Sequence, residues 1–246
     1  CAPCASVPGP QRLSRPAPAL HGPCYKLRMH ASWFRQIYDS AWQHPGLAFA
    51  GGALVLVWTL LTRLPHWRWM VALQLVMTLD ALCTGALSPI PSASKWSQVA
   101  SVLFVICGDA RYFFLLAQSL WGKRKAVPLA LLFGLCIPVA SSLLQAMCPS
   151  LLPTQRHLFI TYELMFCVLA MCILLLLSRV PQHPMQRWLR MLSSFQLWQY
   201  GLWTCADLLI LRGVDTGYAL RMIPNTMYYV LFVPFVAWTY QKESAS

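Results

Sequence analysis

Seven apolar segments dominate the chain between residues 45 and 240, and each is close to the length that crosses a bilayer. A transmembrane helix needs about 20 mostly apolar residues, and short breaks containing Pro, Gly or basic residues separate the segments. The predicted spans are 45–63, 67–88, 97–120, 127–147, 157–178, 188–211 and 217–240. The expected fold class is therefore all-α: a polytopic integral membrane protein, built as a seven-transmembrane-helix bundle over residues 45–240.

The composition favours the same interpretation. Hydrophobic residues make up 58% of the 246 positions and charged residues 11%, whereas a soluble domain usually carries about 25% charged residues. The formal net charge of +12 could indicate nucleic acid, but the basic residues stand between apolar segments and form no long stripe. Such residues are typical of membrane-edge anchors and topology signals. The expected partner is thus the lipid bilayer, with no nucleic acid, and a homo-oligomer is left open.

The two ends of the chain differ from its apolar part. Residues 1–30 are rich in Pro and lack apolar periodicity, so they are expected to be disordered or, because the first methionine is Met29, a non-native extension. Residues 31–43 place aromatic side chains near one helical face, which predicts a short interfacial amphipathic helix before the first span. Residues 241–246 are expected to form a short cytoplasmic tail.

The distribution of basic residues predicts the orientation in the membrane. The loops after the first, third and fifth spans, together with the tail, hold Arg63, Arg68, Lys123, Arg124, Lys125, Arg179, Arg187, Arg190 and Lys242. The loops and span ends on the other side hold only Lys95, Arg156, Arg212 and Arg221. By the positive-inside rule, the N-terminus is expected outside and the C-terminus in the cytoplasm.

Ten cysteines raise the question of disulfides or metal binding. Six of them lie inside apolar runs, where they are expected to act as small hydrophobes. The candidates for bridges are Cys1, Cys4, Cys24 and Cys148, and the predicted outer location allows a bridge between Cys24 and Cys148. Cys1 and Cys4 form a C-x-x-C motif, but no second pair follows at zinc-finger spacing, so no metal site is expected.

Carboxylates inside the predicted spans are the strongest functional signal. The chain has only seven acidic residues, and four of them lie within spans: Asp80, Asp109, Glu163 and Asp207. A charge at a helix centre costs at least about 2.5–3.5 kcal/mol on insertion scales, so such residues are functional candidates by default. With the predicted orientation they converge on a layer from the midplane outward, which predicts an acidic cavity in the outer half of the bundle.

Arg111 is the only basic residue deep in a predicted span. Its guanidinium stays charged, so it is expected to need a carboxylate partner. Asp109 lies two positions away, about 200° around the helix, and is expected to point to a different neighbour. Asp80 or Asp207 is therefore the predicted partner of Arg111. The acids that remain favour cations or protons as ligands.

Uncharged polar residues extend the candidate site. One helical stripe on the sixth span consists of Gln196, Gln199, Trp203 and Asp207. Asn225 follows Pro224 in the seventh span, and a Pro-Asn pair can open a helix and present backbone carbonyls to an ion. Hydrogen bonding between helices, worth about 0.6 kcal/mol per contact, is the alternative explanation for a single amide or hydroxyl.

Several catalytic and cofactor motifs are missing from the sequence. No lysine lies within a predicted span, so a retinal Schiff base has no attachment residue. All six histidines lie in the N-terminal region or near span ends, so a deep histidine pair for membrane haem is absent. The H-E-x-x-H, G-x-S-x-G, Walker A and dinucleotide-binding motifs are absent too. No cofactor is therefore expected, and no catalytic residue is assigned.

The sequence as a whole predicts a transporter or binding protein for a small cationic or protonatable solute or an ion, with proton coupling through Asp80, Asp109 or Asp207 as an option. Two alternatives remain. In one, the buried polar residues only lock together the helices of a membrane sensor or assembly subunit. In the other, which is less favoured, Asp80 and Asp109 are the paired carboxylates of an intramembrane hydrolase.

Overall fold

The computed structural model describes residues 32–62, 67–84, 88–91, 94–179 and 185–244, and this part of the chain forms helices and turns with no β-strand. The helices are α1 (Trp33–Tyr38), α2 (Ala48–Thr62), α3 (Trp67–Thr84), α4 (Lys95–Trp121), α5 (Lys123–Met147), α6 (Gln155–Arg179), α7 (Gln186–Leu211), α8 (Thr216–Thr226) and α9 (Phe232–Ser244). The expectation for residues 1–30, and that of a bridge between Cys24 and Cys148, lie outside the described residues.

Four helical segments of the described part are long and apolar enough to cross a membrane. They are Trp42–Thr62, Val102–Trp121, Lys123–Met147 and Gln155–Arg179. The protein is therefore all-helical with membrane-spanning capacity, as its apolar runs predict. Three further helical runs, 67–84, 186–211 and 216–244, occupy predicted spans, but they are not among the four segments that meet the length and apolarity requirement.

Prolines disturb the first and last of the long helical runs. The kinked segment Trp42–Leu47 leads into α2, and its backbone is extended at His44 (φ −145°, ψ 109°), just before Pro45. Met227–Leu231 is a π-helical turn that joins α8 to α9 and begins three residues after Pro224. A proline lacks a backbone donor and disturbs the local hydrogen-bond ladder, which explains the kink at the first place and the wider turn at the second.

The interfacial helix predicted over 31–43 is shorter in the structure and packs on α8. α1 ends at Tyr38, where the Ser40 hydroxyl donates a 2.5 Å hydrogen bond to the carbonyl of Ile37. Serine side chains compete with the helix ladder in this way, so the helix stops. The Tyr38 ring lies 5.6 Å from the ring of Tyr218, measured between centroids.

α4 lies at the centre of the bundle. In the apolar, membrane-length part of α4, 61% of the residues are buried inside the protein, compared with 28% in each of the other three segments. The run from Tyr112 to Ala117 is buried at every position. Because this part of α4 faces protein on all sides, its two buried charged side chains, Asp109 and Arg111, must find their partners inside the bundle.

Small residues let α5 approach α4 closely. Ala126, Ala130 and Gly134 recur every fourth residue on α5 and are all buried. A Cβ atom placed on Gly134 would stand 3.3 Å from the backbone oxygen of Ile106 on α4. Stripes of small residues are the usual means by which membrane helices pack backbone against backbone.

Gly217→Ala is expected to lower the free energy of unfolding by about 1–3 kcal/mol, because it overpacks a close contact between α7 and α8. A Cβ at Gly217 would stand 2.8 Å from the backbone oxygen of Ala206 and 2.9 Å from the backbone nitrogen of Ile210. Backbone atoms cannot swing aside, so the helices must separate. Thermal unfolding in detergent measures the effect.

Gly201→Ala is the matched control, since nothing lies within 4 Å of a Cβ built there. It should be neutral or add up to about 1 kcal/mol, the usual gain from replacing glycine inside a helix. Equal unfolding temperatures for the two variants would contradict the close packing of α7 on α8.

Candidate functional site

A cavity of about 550 Å³ lies between the end of α1, the kinked segment Trp42–Leu47, the π-helical turn Met227–Leu231, and helices α3, α4, α6, α7 and α8. Its polar lining consists of Tyr38, Asp39, Gln43, His44, Asp80, Thr84, Glu163, Arg221 and Asn225. Its aromatic lining consists of Phe159, Tyr162, Tyr200, Trp203, Tyr228 and Tyr229. The cavity therefore combines carboxylates with an unusually large number of rings.

The structure distributes the predicted site residues over three locations. Asp80, Glu163, Trp203 and Asn225 line the cavity. Asp109 and Asp207 lie behind the lining, and they bond to Tyr162, Tyr200 and Arg221, which do line it. Arg111 also lies behind the lining, with its guanidinium 4.6 Å from the ring centroid of Tyr228. Gln196 and Gln199 are buried on α7 and are not among the lining residues.

Asp80 is held only by uncharged donors. The Tyr229 hydroxyl donates to Oδ2 at 2.8 Å, and the Thr84 hydroxyl lies 3.0 Å from Oδ1. Nε2 of His44 lies 3.2 Å from the same Thr84 hydroxyl, which extends the chain of polar groups to the kinked segment Trp42–Leu47. Within the described residues, no Lys or Arg forms an ion pair with Asp80. Its carboxylate thus faces the cavity without a direct ion-pair partner.

Asp109 is bound by two tyrosines, one on each carboxylate oxygen. The Tyr162 hydroxyl from α6 donates to Oδ2, and the Tyr200 hydroxyl from α7 donates to Oδ1. The Tyr200 ring is fixed in turn by stacking on Phe166, with centroids 3.8 Å apart and planes inclined by 14°. Both tyrosines reach the cavity, so Asp109 touches its wall from behind.

The predicted carboxylate partner of Arg111 is wrong. Within the described residues, neither Asp80 nor Asp207 lies within ion-pair distance of it. Instead, Nε donates to the Gly108 carbonyl at 3.2 Å and Nη2 donates to the Tyr228 carbonyl at 3.0 Å.

Aromatic rings complete the surroundings of this guanidinium. Its Cζ lies 4.6 Å from the ring centroid of Tyr228 and 4.7 Å from that of Phe232. Carbonyl oxygens and ring faces can hold a buried guanidinium because both present negative partial charge. Asp109 and Arg111 do contact different neighbours, as the helical angle between them predicts.

Two acids and two arginines form a charge-balanced network beside the cavity. Asp207, which is fully buried, accepts from Nη1 of Arg156 at 2.5 Å and forms an ion pair with Nη1 of Arg221 through the same oxygen, Oδ1. Oε1 of Glu163 lies 3.8 Å from Nη1 of Arg221. Nε of Arg221 donates to the Tyr38 hydroxyl at 2.9 Å, which ties α1 to the network.

The residues of the polar stripe on α7 do not all lie in one site. Gln199 is buried, and neither of its amide atoms has a hydrogen-bond partner in the described part of the chain. Gln196 is buried as well. Trp203 does reach the cavity, and its Nε1 donates to Oδ1 of Asn225 at 2.8 Å. Asn225 is therefore oriented by a side-chain hydrogen bond, and the predicted opening of the helix is a π-helical turn that begins two residues later.

Several residues of the site escape prediction from the sequence. Arg156 and Arg221 are near span ends, where basic residues are ordinarily topology signals. An ion pair with Asp207 could have been predicted only from the fact that all three residues lie at a similar depth in the membrane. The tyrosines around Asp80 and Asp109 come from helices distant in the sequence. Their one signal is that Tyr200 follows Gln199 directly on α7, next to the predicted polar stripe.

The described residues contain no group of three or more His, Cys, Asp or Glu side chains that could hold a metal ion. Comparison of the chain with protein-family models, with curated proteins and with solved structures finds no match. The chemistry of the cavity is therefore the basis on which a function can be assigned.

Proposed function

We propose that the protein is a seven-span membrane protein that binds a small organic cation in this cavity and carries it across the membrane. The observation that supports the proposal best is the carboxylate of Asp80, which lines an aromatic cavity and has no cationic partner among the described residues. In this proposal the N-terminus lies outside and the cavity opens toward that side.

The distribution of burial on α7 supports a seven-span arrangement. This helix has 26 residues, which corresponds to about 39 Å and exceeds the ~30 Å of the bilayer core. Its polar residues Gln199 and Asp207 are buried, whereas Trp198, Leu208 and Leu211 are exposed. The exposed charges of α7, Arg187 and Arg190, lie in its first turns, and every exposed residue of the helix after them is apolar (Trp198, Cys205, Leu208 and Leu211). The exposed face beyond the first turns is therefore suited to lipid.

The charges around the cavity favour a cation. In the network beside the cavity, Asp207 and Glu163 are matched by Arg156 and Arg221. Asp80 and Asp109 are bonded to hydroxyl groups, and only Arg111, which contacts neither carboxylate, adds a further positive charge nearby. One negative charge is therefore left over, and a bound cation would neutralise it.

The rings around the cavity favour an organic cation over a metal ion. Trp203, Tyr228 and Tyr229 present aromatic surface to the same space as Asp80. An ammonium group near such rings gains cation–π attraction, while the rest of the molecule packs on their apolar faces. The volume of about 550 Å³ lies within the range of small-molecule sites.

Proton coupling is best assigned to Asp80 or Asp109. Asp207 is a poor proton carrier because two arginines hold its carboxylate. Asp80 and Asp109 bond only to hydroxyl groups, so the loss or gain of a proton disturbs no ion pair. They use different tyrosines, and no hydrogen bond joins the two carboxylates in the described part of the chain.

A series of ligands with the same aromatic body and different charge tests the proposal. 2-Phenylethylamine is cationic at neutral pH, 2-phenylethanol is neutral and phenylacetate is anionic. The cation is expected to raise the unfolding temperature of the purified protein, because a ligand at 100 times its Kd adds about 2.7 kcal/mol to stability. The alcohol and the anion should have little effect.

Asp80→Asn is expected to weaken 2-phenylethylamine binding about tenfold, since it replaces a charge-assisted hydrogen bond by a neutral one. Isothermal titration calorimetry measures the affinity. Asp215→Asn is the matched control, because Asp215 accepts from Ser32 and does not line the cavity. Equal stabilisation by the three ligands, or equal affinities of the two variants, would contradict the proposal.

A further inference from the structure

A second concave surface lies between α7 and α9, on the first half of α7, and it shares no lining residue with the cavity. This groove has a volume of about 660 Å³. From α7 it is lined by Arg187, Arg190, Met191, Phe195 and Trp198, among others, and Phe235 of α9 lies opposite. The rings of Phe195 and Phe235 stack with centroids 4.5 Å apart, which joins the two helices at the base of the groove.

The two arginines of the groove carry uncompensated positive charge. Both are exposed, and neither has a hydrogen bond or an ion pair with any other described residue. Five of the seven acids of the chain lie in or beside the cavity (Asp39, Asp80, Asp109, Glu163 and Asp207), and Glu243 near the end of α9 does not line the groove. An anionic group is therefore the complement that this end of α7 lacks.

The charged and apolar parts of the groove follow one another along the helix. Arg187, Met191, Phe195 and Trp198 are spaced three or four residues apart, and Arg190 lies three residues after Arg187, so they form one face of α7. The distance from Arg187 to Trp198 along the helix axis is about 16 Å. This distance is close to half of the ~30 Å thickness of the hydrocarbon core. The groove thus has a cationic end at the predicted cytoplasmic surface and an apolar path as deep as one leaflet.

We propose that this groove binds one anionic phospholipid. The phosphate lies against the guanidinium groups of Arg187 and Arg190, which match phosphate oxygens in geometry and charge. One acyl chain follows Met191 and Phe195 toward Trp198, whose side chain is 69% exposed and is covered by the lipid. Basic pockets between membrane helices on the cytoplasmic side are suited to anionic headgroups.

Lipid retention measured by native mass spectrometry tests this site. The purified protein is incubated with equal amounts of phosphatidylglycerol and phosphatidylcholine that carry the same acyl chains, and then washed with detergent. Wild type should retain phosphatidylglycerol in preference by at least about fivefold, because two basic side chains favour the anionic headgroup. In the double variant Arg187→Gln/Arg190→Gln the ratio should fall to near one.

Lys123→Gln/Arg124→Gln is the matched control, since these basic residues are exposed at the start of α5 and do not line the groove. It should keep the wild-type ratio. Ser194→Trp is a second probe, which leaves both arginines in place and fills the groove. It should lower phosphatidylglycerol retention at least threefold, because the acyl chain loses part of its apolar contact with α7.

Three results would each overturn the lipid site: a wild-type ratio near one, an unchanged ratio in the arginine double variant, or displacement of the lipid by millimolar inorganic phosphate. The last result would indicate a phosphate site that does not use the acyl chain. If the arginine double variant does not fold, Ser194→Trp decides alone, and unchanged retention in it rejects the proposal. None of these outcomes depends on amine binding, because the groove and the cavity share no lining residue.

Discussion

Asp207→Ala is expected to lower the free energy of unfolding by about 3–5 kcal/mol, the cost of removing one partner from a buried ion pair. Asp207 is fully buried and forms ion pairs with both Arg156 and Arg221. Without it, the Arg221 side chain, only 15% exposed, keeps a single carboxylate neighbour, Glu163, at 3.8 Å. Unfolding of the purified protein by heat or by a denaturing detergent measures the loss.

Asp39→Ala is the matched control for this prediction. Asp39 pairs with Arg35 on the surface at 3.4 Å, with side chains 58% and 54% exposed. Exposed pairs of this kind contribute about 0.5 kcal/mol or less. A double variant Asp207→Ala/Arg221→Met should recover part of the stability lost by the single change, because it removes the orphaned charge as well. Similar losses for Asp207→Ala and Asp39→Ala would show that the buried network does not stabilise the bundle.

The positions of the helices could be predicted from the sequence because length and apolarity act locally. The third predicted span, 97–120, differs by two residues at its start and one at its end from α4 (Lys95–Trp121). The different directions of Asp109 and Arg111 were also predictable, since the angle between successive residues of a helix is fixed. Both inferences use only neighbours in the sequence.

The partners of the buried charges could not be predicted, because they come from distant helices. Arg111 binds a carbonyl at position 228, which lies in a π-helical turn. The Pro224-Asn225 pair predicts that the helix opens near this place, but it does not indicate which side chain binds the carbonyl. Reasoning from opposite charges predicts a carboxylate as the partner of a buried arginine, and it does not consider backbone carbonyls or aromatic ring faces. The sequence also predicts Asp109 as a carboxylate that binds a cation or a proton, but it does not predict that Tyr162 and Tyr200 donate hydrogen bonds to its two oxygens.

The two tyrosines change what Asp109 is expected to do. A buried aspartate that accepts hydrogen bonds from two hydroxyl groups behind the cavity lining can hold neighbouring helices together, and it can equally attract a cation. Which of these roles dominates depends on whether the negative charge or the pair of acceptor oxygens is the essential property. A substitution that keeps an acceptor and removes the charge separates the two.

Asp109→Asn is expected to abolish pH-driven uptake of a cation while it leaves the bundle folded. The amide oxygen of asparagine can still accept from one tyrosine and its NH₂ group can donate to the other, so the loss of stability should stay near 1 kcal/mol. Uptake of benzyltrimethylammonium, whose permanent charge prevents passive crossing, is measured in liposomes with an imposed pH gradient. Asp215→Asn should transport at the wild-type rate.

Asp109→Ala provides the opposite contrast, since it removes both acceptors from two buried hydroxyls. It should cost about 2–4 kcal/mol of stability, from the unsatisfied hydroxyls and the space left behind. If Asp109 is only a structural element, Asp109→Asn should again be nearly as stable as wild type, but wild type should show no cation uptake to lose. If instead Asp109→Asn is stable and inactive while Asp109→Ala is unstable, the carboxylate both holds α4 against α6 and α7 and supplies the charge that the cation requires.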